Sequence, residues 1–214
     1  MRIESIKKLE NKPGRFTVLF EDGAKTNVSA AQIADFGLFS GRDLSEGEYI
    51  ELNEGLKLSS SKARAVRILG SRNLSSREME KRLVSKGEPE GIARETVKWL
   101  EDIGAVNDED YAATIVRHYC AKGYGLARIK DELYRRGIPR DMWDDALGGI
   151  DNMGEAAYDF LEKKLRGSRD KADIRRASDA LYRRGFSYGE AREAVSRYLE
   201  NTEENTEENE ESEP

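Results

Sequence analysis

A five-residue pattern recurs three times along the middle of this chain and constrains its fold more than any other feature. The copies begin with leucine and end with glycine, at Leu83–Gly87, Leu133–Gly137 and Leu181–Gly185, and they are 50 and 48 residues apart. Apolar residues lie four positions before each leucine, and six, ten and thirteen positions after each glycine. Because side chains at i, i+4 and i+7 share one helix face, each copy predicts a short helix, a glycine stop and a second amphipathic helix. The chain is therefore predicted to be a repeat protein.

An apolar stripe also precedes each copy, which leaves room for a third helix upstream. The stripes are Ala65, Val66 and Leu69; then Ile115, Val116 and Tyr119; then Ala157, Phe160, Leu161 and Leu165. In the second copy, Asn107 or Asp108 is expected to open this helix. The repeating unit is therefore predicted to be helix A, helix B and helix C, with helix B ending at the repeated glycine.

Local signals for helix ends support this division. Capping boxes of the form Ser-x-x-Glu are present at Ser75–Glu78 and Ser187–Glu190. Pro89 and Pro139 stand where a first helical residue is expected. The three glycines of the repeated pattern are predicted to follow helix B in a left-handed conformation, which a residue with a Cβ adopts at a cost of roughly 1 kcal/mol.

The first part of the chain differs in kind from the repeats. Phe16, Val18 and Phe20 alternate with Thr17 and Leu19. Asp22–Gly23 then supplies a turn and residues 25–28 follow, which predicts a β-hairpin with Ile3–Leu9 as a third strand. Ser29 is expected to cap a short helix.

Two boundaries are expected on either side of the repeats. Ser45-x-x-Glu48 is expected to cap a second short helix, and Ser59–Ser61 is expected to be a linker into the first repeat. Past Tyr198 nothing in the sequence can form a core, so disorder is expected.

The resulting fold class is mainly α, with three tandem three-helix repeats in an elongated array, a small N-terminal α/β lead-in that contains a β-hairpin, and a disordered acidic C-terminal tail. The expected bounds are 1–58 for the lead-in, 62–106, 107–150 and 151–199 for the repeats, and 200–214 for the tail.

The net charge of −6 originates at one end of the chain. From Glu200 onward the sequence carries eight Glu and no Lys or Arg, and without those eight the chain has 36 basic and 34 acidic residues. Residues 62–199 alone hold 28 basic and 24 acidic residues. The repeats are therefore mildly basic, and the tail either competes with phosphate for their cations or serves only solubility.

Few residues point to catalysis. His118 is the only histidine and Cys120 the only cysteine, and residues two apart on a helix point to different sides. No phosphate-binding or serine-hydrolase glycine motif occurs, and Gly123–Gly125 is predicted to be a turn between helices. We therefore expect no enzyme, no cofactor and no metal. One cysteine and the lack of an apolar leader or membrane-length apolar run predict a cytoplasmic protein without membrane contact.

Two kinds of binding protein remain. One is a DNA-binding transcription regulator of helix-turn-helix type, with helix B or C in a groove. The other is a scaffold that grips a protein or a protein–nucleic acid assembly. The small basic excess over the repeats favours the second, because dedicated DNA binders are more strongly basic.

The second copy resembles the central motif of the RecX family, which reads roughly D-D-x-[FY]-A, an Arg-containing segment, then KG, RI, EL and KGI. The matching residues are Asp108–Ala112, Arg117, Lys122–Gly125, Arg128–Ile129, Glu132–Leu133 and Arg136–Ile138. The resemblance covers residues 60–199 well and residues 1–59 loosely. Two features depart from the family pattern: His118 lies in a stretch that is Arg-rich in the family, and the Glu-rich tail is additional.

The resemblance implies a modulator of the RecA recombinase. RecX-like proteins bind in the helical groove of RecA filaments on single-stranded DNA and suppress strand exchange and ATP hydrolysis. By this resemblance we expect a monomer whose partner is the RecA filament, with weak or indirect contact to single-stranded DNA.

Basic side chains of the second and third copies are the candidate contacts with that filament. They are Arg117, Lys122, Arg128, Lys130, Arg135, Arg136, Arg175, Arg176, Arg183 and Arg184. Two ordinary roles remain open for any of them: a solvated helix face, or a cation that complements the dipole at a helix C-terminus.

Overall fold

The chain is mainly helical, with one small antiparallel sheet near its N-terminus. The computed structural model describes the backbone of residues 1–150 and 153–211, and the side chains in those ranges as far as Thr202. The strands are β1 (Ile3–Lys8), β2 (Arg15–Phe20) and β3 (Lys25–Ser29). The helices are α1 (Ala30–Asp35), α2 (Glu46–Leu69), α3 (Ser76–Ser85), α4 (Glu90–Asp102), α5 (Asp108–Ala121), α6 (Leu126–Arg136), α7 (Trp143–Leu147), α8 (Met153–Leu165), α9 (Lys171–Arg183) and α10 (Tyr188–Glu211).

These elements form two compact units. One unit consists of Met1–Ser71 and Leu83–Lys98, and the other consists of Arg72–Arg82 and the chain from Trp99 onward. The first unit contains the sheet, α1 and α2. The second contains the helices of the second and third copies.

The N-terminal sheet confirms the predicted hairpin and its third strand. The strand order is β1-β2-β3 with both pairs antiparallel, and Phe16 pairs with Val28. Val18, Val28 and Phe20 turn inward onto Leu52 of α2 and are almost completely buried. Ser29 begins α1 through a reciprocal capping box with Gln32, as the sequence predicted for Ser29.

The expected linker at Ser59–Ser61 is wrong, because these serines lie within the continuous helix α2. Ser61 is fully buried, and its hydroxyl is hydrogen-bonded at 2.8 Å to that of Thr96, which in turn donates to the carbonyl of Ile92. A serine run favours a loop only while its hydroxyls lack better partners. Here tertiary packing supplies one, so the helix that starts at the Ser45–Glu48 capping box runs to Leu69.

Helix B of each copy has the predicted surroundings. Leu83, Leu133 and Leu181 are all completely buried, and so are the residues four positions before each of them. The repeated glycines have φ of 90°, 73° and 90°, the left-handed conformation predicted for them. The capping boxes at Ser75 and Ser187 are also present. The tandem three-helix organisation is therefore confirmed.

Helix C of the second copy differs from the predicted one. A 3₁₀ turn at Arg140–Met142 follows Pro139, and α7 then ends at Leu147, so Ile150 lies outside it. Gly148–Gly149 explains the early end, because two glycines in succession disfavour a helix. Pro89 precedes α4 by one residue rather than being its first residue.

The last helix continues past Tyr198, where disorder was expected, as far as Glu211; residues 212–214 lie outside the described residues. Two polar contacts accompany this extension: Asn201 donates to the Tyr158 hydroxyl at 2.9 Å, and Thr202 donates to the carbonyl of Tyr198. These two contacts hold the first residues past Leu199 within α10. Among the described helices, α10 included, none combines the length and apolarity that a membrane span requires.

Helix B of the second copy meets helix B of the third copy end to end. The backbone N–H of Gly125 donates to the carbonyl of Arg184 at 2.9 Å, and the N–H of Ala127 donates to the carbonyl of Gly185 at 3.1 Å. Two amides at the start of α6 are thereby satisfied without a capping side chain, by the carbonyls of the two residues that follow α9. A Cβ on Gly125 would overlap the backbone of Gly185, so the joint requires glycine there.

An equivalent joint links the start of α3 to the end of α6. The Ser75 hydroxyl donates to the carbonyl of Arg136 at 2.5 Å, and Arg77 lies against Gly137 so closely that a Cβ there would come within 2.6 Å of its Cδ. Ser75 precedes Gly125 by the repeat distance of 50 residues, and Arg136 precedes Arg184 by 48. Equivalent positions therefore make equivalent contacts, with the positive end of one helix dipole beside the negative end of the next.

We predict that Gly125→Ala lowers the free energy of unfolding by about 2–3 kcal/mol, because the new methyl group must displace backbone atoms. Urea denaturation followed by circular dichroism measures the change. Gly154→Ala is the matched control, since a Cβ at this position of α8 meets nothing within 4 Å. The control should be neutral or stabilising by up to about 1 kcal/mol. Equal midpoints for the two variants would contradict the joint.

Candidate functional site

A buried carboxylate organises the charges at the end of α6. The side chain of Glu132 is 4% exposed, and its two oxygens accept hydrogen bonds from Arg136 at 2.7 Å and Arg135 at 3.2 Å. Arg136 also donates to the Tyr111 hydroxyl at 3.0 Å and lies 3.6 Å from a carboxylate oxygen of Glu78. Arg136 is therefore held by three elements of its own unit.

These contacts stabilise the ionised forms of both partners. Burial by itself raises the pKa of Glu132, but hydrogen bonds from Arg136 and Tyr119 and the charges of both arginines outweigh it, so the pKa of Glu132 is lowered. The hydrogen bond to Glu132 in turn raises the pKa of Arg136. Arg136 consequently has a structural role in the second copy.

Arg184 is the equivalent residue of the third copy and is also held internally. Its guanidinium donates to the carbonyls of Lys122 and Gly123 at 3.0 and 3.1 Å, at the end of α5. It also lies over the rings of Phe160 and Tyr124, at 4.6 and 5.3 Å from their centroids. Arg184 therefore neutralises the C-terminal end of a neighbouring helix and packs on two aromatic rings.

The structure divides the ten predicted site residues into two groups. The half-buried ones are Arg128, Arg136 and Arg184. The exposed ones are Arg117, Lys122, Lys130, Arg135, Arg175, Arg176 and Arg183. Arg128 lies beside Gly185 and pairs with Asp131 at 3.3 Å, and Arg176 pairs with Asp173 on its own helix.

The joint brings some of these residues together. Arg128 meets the end of α9, where Arg183 and Arg184 lie, and Arg184 reaches Lys122 through its carbonyl. Two of the exposed side chains, Arg135 and Arg183, occupy equivalent positions in successive copies. Each directly precedes the half-buried arginine of its copy. Arg175 and Arg176 lie on the first half of α9, away from that helix's joint-forming end.

Exposed tyrosines next to these arginines were not identified from the sequence. Tyr134 is 62% exposed and Tyr182 is 39% exposed, at the same position of the repeated pattern. Tyr182 stacks on the exposed Tyr188 with centroids 6.3 Å apart and ring planes within 8°. The signal was available: both follow the buried leucine by one residue, and adjacent residues of a helix point about 100° apart.

The residues that carry the family resemblance mostly stabilise the second copy and its joints. Asp108 is buried and accepts hydrogen bonds from the Ser76 N–H and hydroxyl at 2.8 and 2.6 Å. Gly125 and Gly137 form the two joints, and Glu132 binds Arg136. The residues of the RecX-like motif therefore pack one copy against its neighbours. The groups available to a partner are the exposed side chains on the sides of the helices.

The fold places this chain among proteins built from tandem three-helix domains, and comparison with known proteins identifies which. Models described as the second and third three-helix domains of RecX match residues 107–147 and 153–195. Regulatory protein RecX of Xanthomonas axonopodis pv. citri is 31% identical over 141 residues, which cover 64% of this chain and 87% of that protein. Regulatory protein RecX of Bacillus subtilis is 28% identical over 180 residues, covering 81% and 68% of the respective chains.

A solved structure shows the same fold. The crystal structure of a regulatory protein RecX aligns with a TM-score of 0.72 at 21% identity, over 94% of this chain and 98% of that one. Together with the sequence relatives, these matches show that the chain belongs to the RecX family of regulatory proteins.

We predict that Glu132→Gln lowers the free energy of unfolding at neutral pH by about 2 kcal/mol, because it removes charge-assisted hydrogen bonds to two arginines. Since the pKa of Glu132 is lowered in the folded state, its contribution is present above the ordinary carboxylate pKa of 4.5 and is lost as the pH falls through the lower folded value. Urea titrations at several pH values measure this.

The difference between wild type and Glu132→Gln should therefore shrink as the solution is acidified. Glu162→Gln, an exposed position on α8, serves as the control and should leave the stability unchanged at every pH. A difference in the free energy of unfolding between wild type and Glu132→Gln that stays constant from neutral to acidic pH would refute the role assigned to this carboxylate.

Proposed function

We propose that the chain is a non-enzymatic regulator of DNA recombination and repair that binds in the groove of RecA–single-stranded DNA filaments and inhibits the ATPase and strand exchange of RecA. The supporting observation is the repetition of an exposed tyrosine–arginine pair: Tyr134–Arg135 on α6 and Tyr182–Arg183 on α9. A partner that repeats along its length offers like groups to both pairs. Membership of the RecX family supports a regulatory role.

Affinity in this proposal comes from the sum of separate contacts. One exposed ion pair contributes at most about 1 kcal/mol. When one pair of residues is bound, however, the second contact becomes intramolecular, and avidity multiplies the two affinities. A monomer can then bridge two RecA protomers without a large patch on either copy, in the cytoplasm where RecA acts.

The joints argue against the entry of α3 or α6 into a DNA groove, and so against a transcription regulator of helix-turn-helix type that uses either of these helices. A recognition helix contacts base edges with its N-terminal residues. In α6 that end is occupied by the carbonyls of Arg184 and Gly185, and in α3 Ser75 binds the carbonyl of Arg136. The exposed groups lie instead on the flank of the helices, which suits contact with a backbone or with stacked bases.

We predict that Arg135→Glu combined with Arg183→Glu raises the concentration needed for half-inhibition of the DNA-dependent RecA ATPase by about tenfold, equivalent to about 1.4 kcal/mol. Both side chains are exposed, so the helical circular-dichroism signal should remain. Because Arg135 also donates to Glu132, urea denaturation must show that the variant is folded under the assay conditions. Arg128 and Arg136 are unsuitable for this test, because both contribute to the joints.

Lys164→Glu combined with Arg192→Glu is the matched control, since it makes the same change of charge on exposed positions of α8 and α10. It should inhibit as wild type does. If both variants lose the same amount of inhibition, the effect comes from net charge rather than from these two positions. Unchanged inhibition by the arginine variant would rule out this surface. Protection of a defined duplex site without any effect on RecA would favour a transcription regulator.

We predict a separate contribution from the two exposed rings. Tyr134→Ala combined with Tyr182→Ala should weaken binding to the RecA–DNA filament by at least tenfold, because stacking on a base contributes about 1–3 kcal/mol. Tyr134→Phe combined with Tyr182→Phe keeps both rings and should bind as wild type does. If the phenylalanine variant is as weak as the alanine variant, the hydroxyls rather than the rings are the binding groups.

A further inference from the structure

The N-terminal unit contains a cleft that none of the preceding functions uses. Its volume is about 360 Å³, and it lies between the β1–β2 connection and the middle of α2. Three cationic side chains line it: Lys12 from the connection, Arg15 from the start of β2, and Arg67 from the last turns of α2. No acidic side chain is among the lining residues.

The cations of this cleft differ from the other arginines of the same unit. Arg42 and Arg64 form ion pairs with glutamates at 2.7 and 3.4 Å. For Lys12, Arg15 and Arg67, the described part of the chain provides no carboxylate within ion-pair distance. Arg67 makes one hydrogen bond, from Nε to the carbonyl of Ala63 at 3.2 Å, which leaves its terminal amino groups as donors.

Neutral groups in the cleft add further donors. The oxygen of the Gln32 side chain accepts the N–H of Ser29 at 2.8 Å, so its amino group is the end that remains for the cleft. Gln32 is only 9% exposed and fixed by the capping box, which orients this donor. In the same way the oxygen of Asn27 accepts from Thr17 at 2.8 Å, which leaves its amino group free to donate.

We propose that this cleft binds successive phosphate groups of a nucleic acid strand. Cations and amide donors without a carboxylate match an anion with several oxygens, and arginine is well suited to phosphate. The lining of α2 extends from Leu56 to Arg67, roughly 16 Å along the helix axis, which is longer than one phosphate group and suits a backbone. The lining contains no aromatic side chain on which a base could stack, so contact is made through the backbone.

This inference goes beyond the proposed regulation of RecA and does not rest on it. A strand in the cleft touches a different unit from the one that carries Tyr134 and Tyr182. The test therefore omits RecA and measures binding to DNA directly, so that either proposal can fail while the other stands.

The test is fluorescence anisotropy of a labelled oligothymidylate with the full-length protein across a salt series. Arg15→Glu combined with Arg67→Glu should weaken binding about tenfold near 0.1 M salt, and should reduce the slope of log affinity against log salt by about 1.4, the value for two contacts to single-stranded DNA. Lys25→Glu combined with Lys57→Glu is the control, because these exposed lysines of the same unit do not line the cleft and the charge change is equal.

The control should retain most of the affinity, since it acts only through the screened long-range field. Equal losses in both variants would overturn the proposal. Competition distinguishes a nucleic acid strand from a free phosphate compound. If thymidine monophosphate or inorganic phosphate displaces the labelled oligonucleotide as well as an unlabelled oligonucleotide does, the cleft is a site for a free phosphate compound instead. Photo-crosslinking of the wild-type protein to an oligothymidylate that carries an azidophenacyl group on a backbone phosphorothioate provides a check independent of any variant. Peptides containing residues 9–15 or 56–67 should carry the crosslink, and its absence from both would also overturn the proposal.

Discussion

The end-to-end joint between successive B helices is the interaction on which the arrangement of the second and third copies depends. An α-helix leaves its first amides and last carbonyls without internal partners, and in an isolated three-helix domain these groups need water or capping side chains. Here the carbonyls of the two residues that follow α9 accept two amides at the start of α6, and the carbonyl of Arg136 accepts from Ser75 at the start of α3. The joint satisfies polar groups and aligns helix dipoles with the same few atoms. The required close approach explains why glycine is found at Gly125, and at Gly137 it adds to the left-handed φ that already favours glycine.

Each position of the repeated pattern has a distinct role in the structure. In Leu-Tyr-Arg-Arg-Gly, the leucine is in the core, the tyrosine and the first arginine are exposed, and the second arginine and the glycine belong to the joint. This division follows from a rotation of about 100° per residue, which sends adjacent side chains to different surroundings. Two identical neighbours, Arg183 and Arg184, therefore act differently: one faces solvent, and the other holds the end of α5. A count of basic residues cannot separate these roles.

Much of the fold could be predicted from the sequence because its signals are local. Buried leucines at helical spacing, capping boxes and left-handed glycines each depend on a few consecutive residues. What the sequence did not reveal depends on distant partners. The buried hydroxyl of Ser61 has its partner, Thr96, 35 residues away, and Asn201 near the end of α10 reaches Tyr158 of α8.

The same limit applies to the candidate site. The repeated arginines were visible in the sequence, but their separation into internal and exposed groups required Glu132, Tyr111 and the joint. The N-terminal cleft was invisible, because it joins residues from positions 9 to 67 that form no motif. Sequence patterns identified which residues are chemically able to bind a polyanion, and packing determines which of them are available.

Because the N-terminal end of α6 is occupied by the chain that follows α9, a partner of α6 meets the flank of that helix. A helix that enters a DNA groove end-first reads base edges and therefore selects a sequence. A flank that presents cations and tyrosine rings contacts backbone and ring faces, which every nucleotide has, so it discriminates little between sequences. A protein that acts on a filament formed along arbitrary DNA needs this tolerance. The joints that cover the N-terminal ends of α3 and α6 thus favour a partner recognised by its repeating shape and charge over one recognised by its sequence.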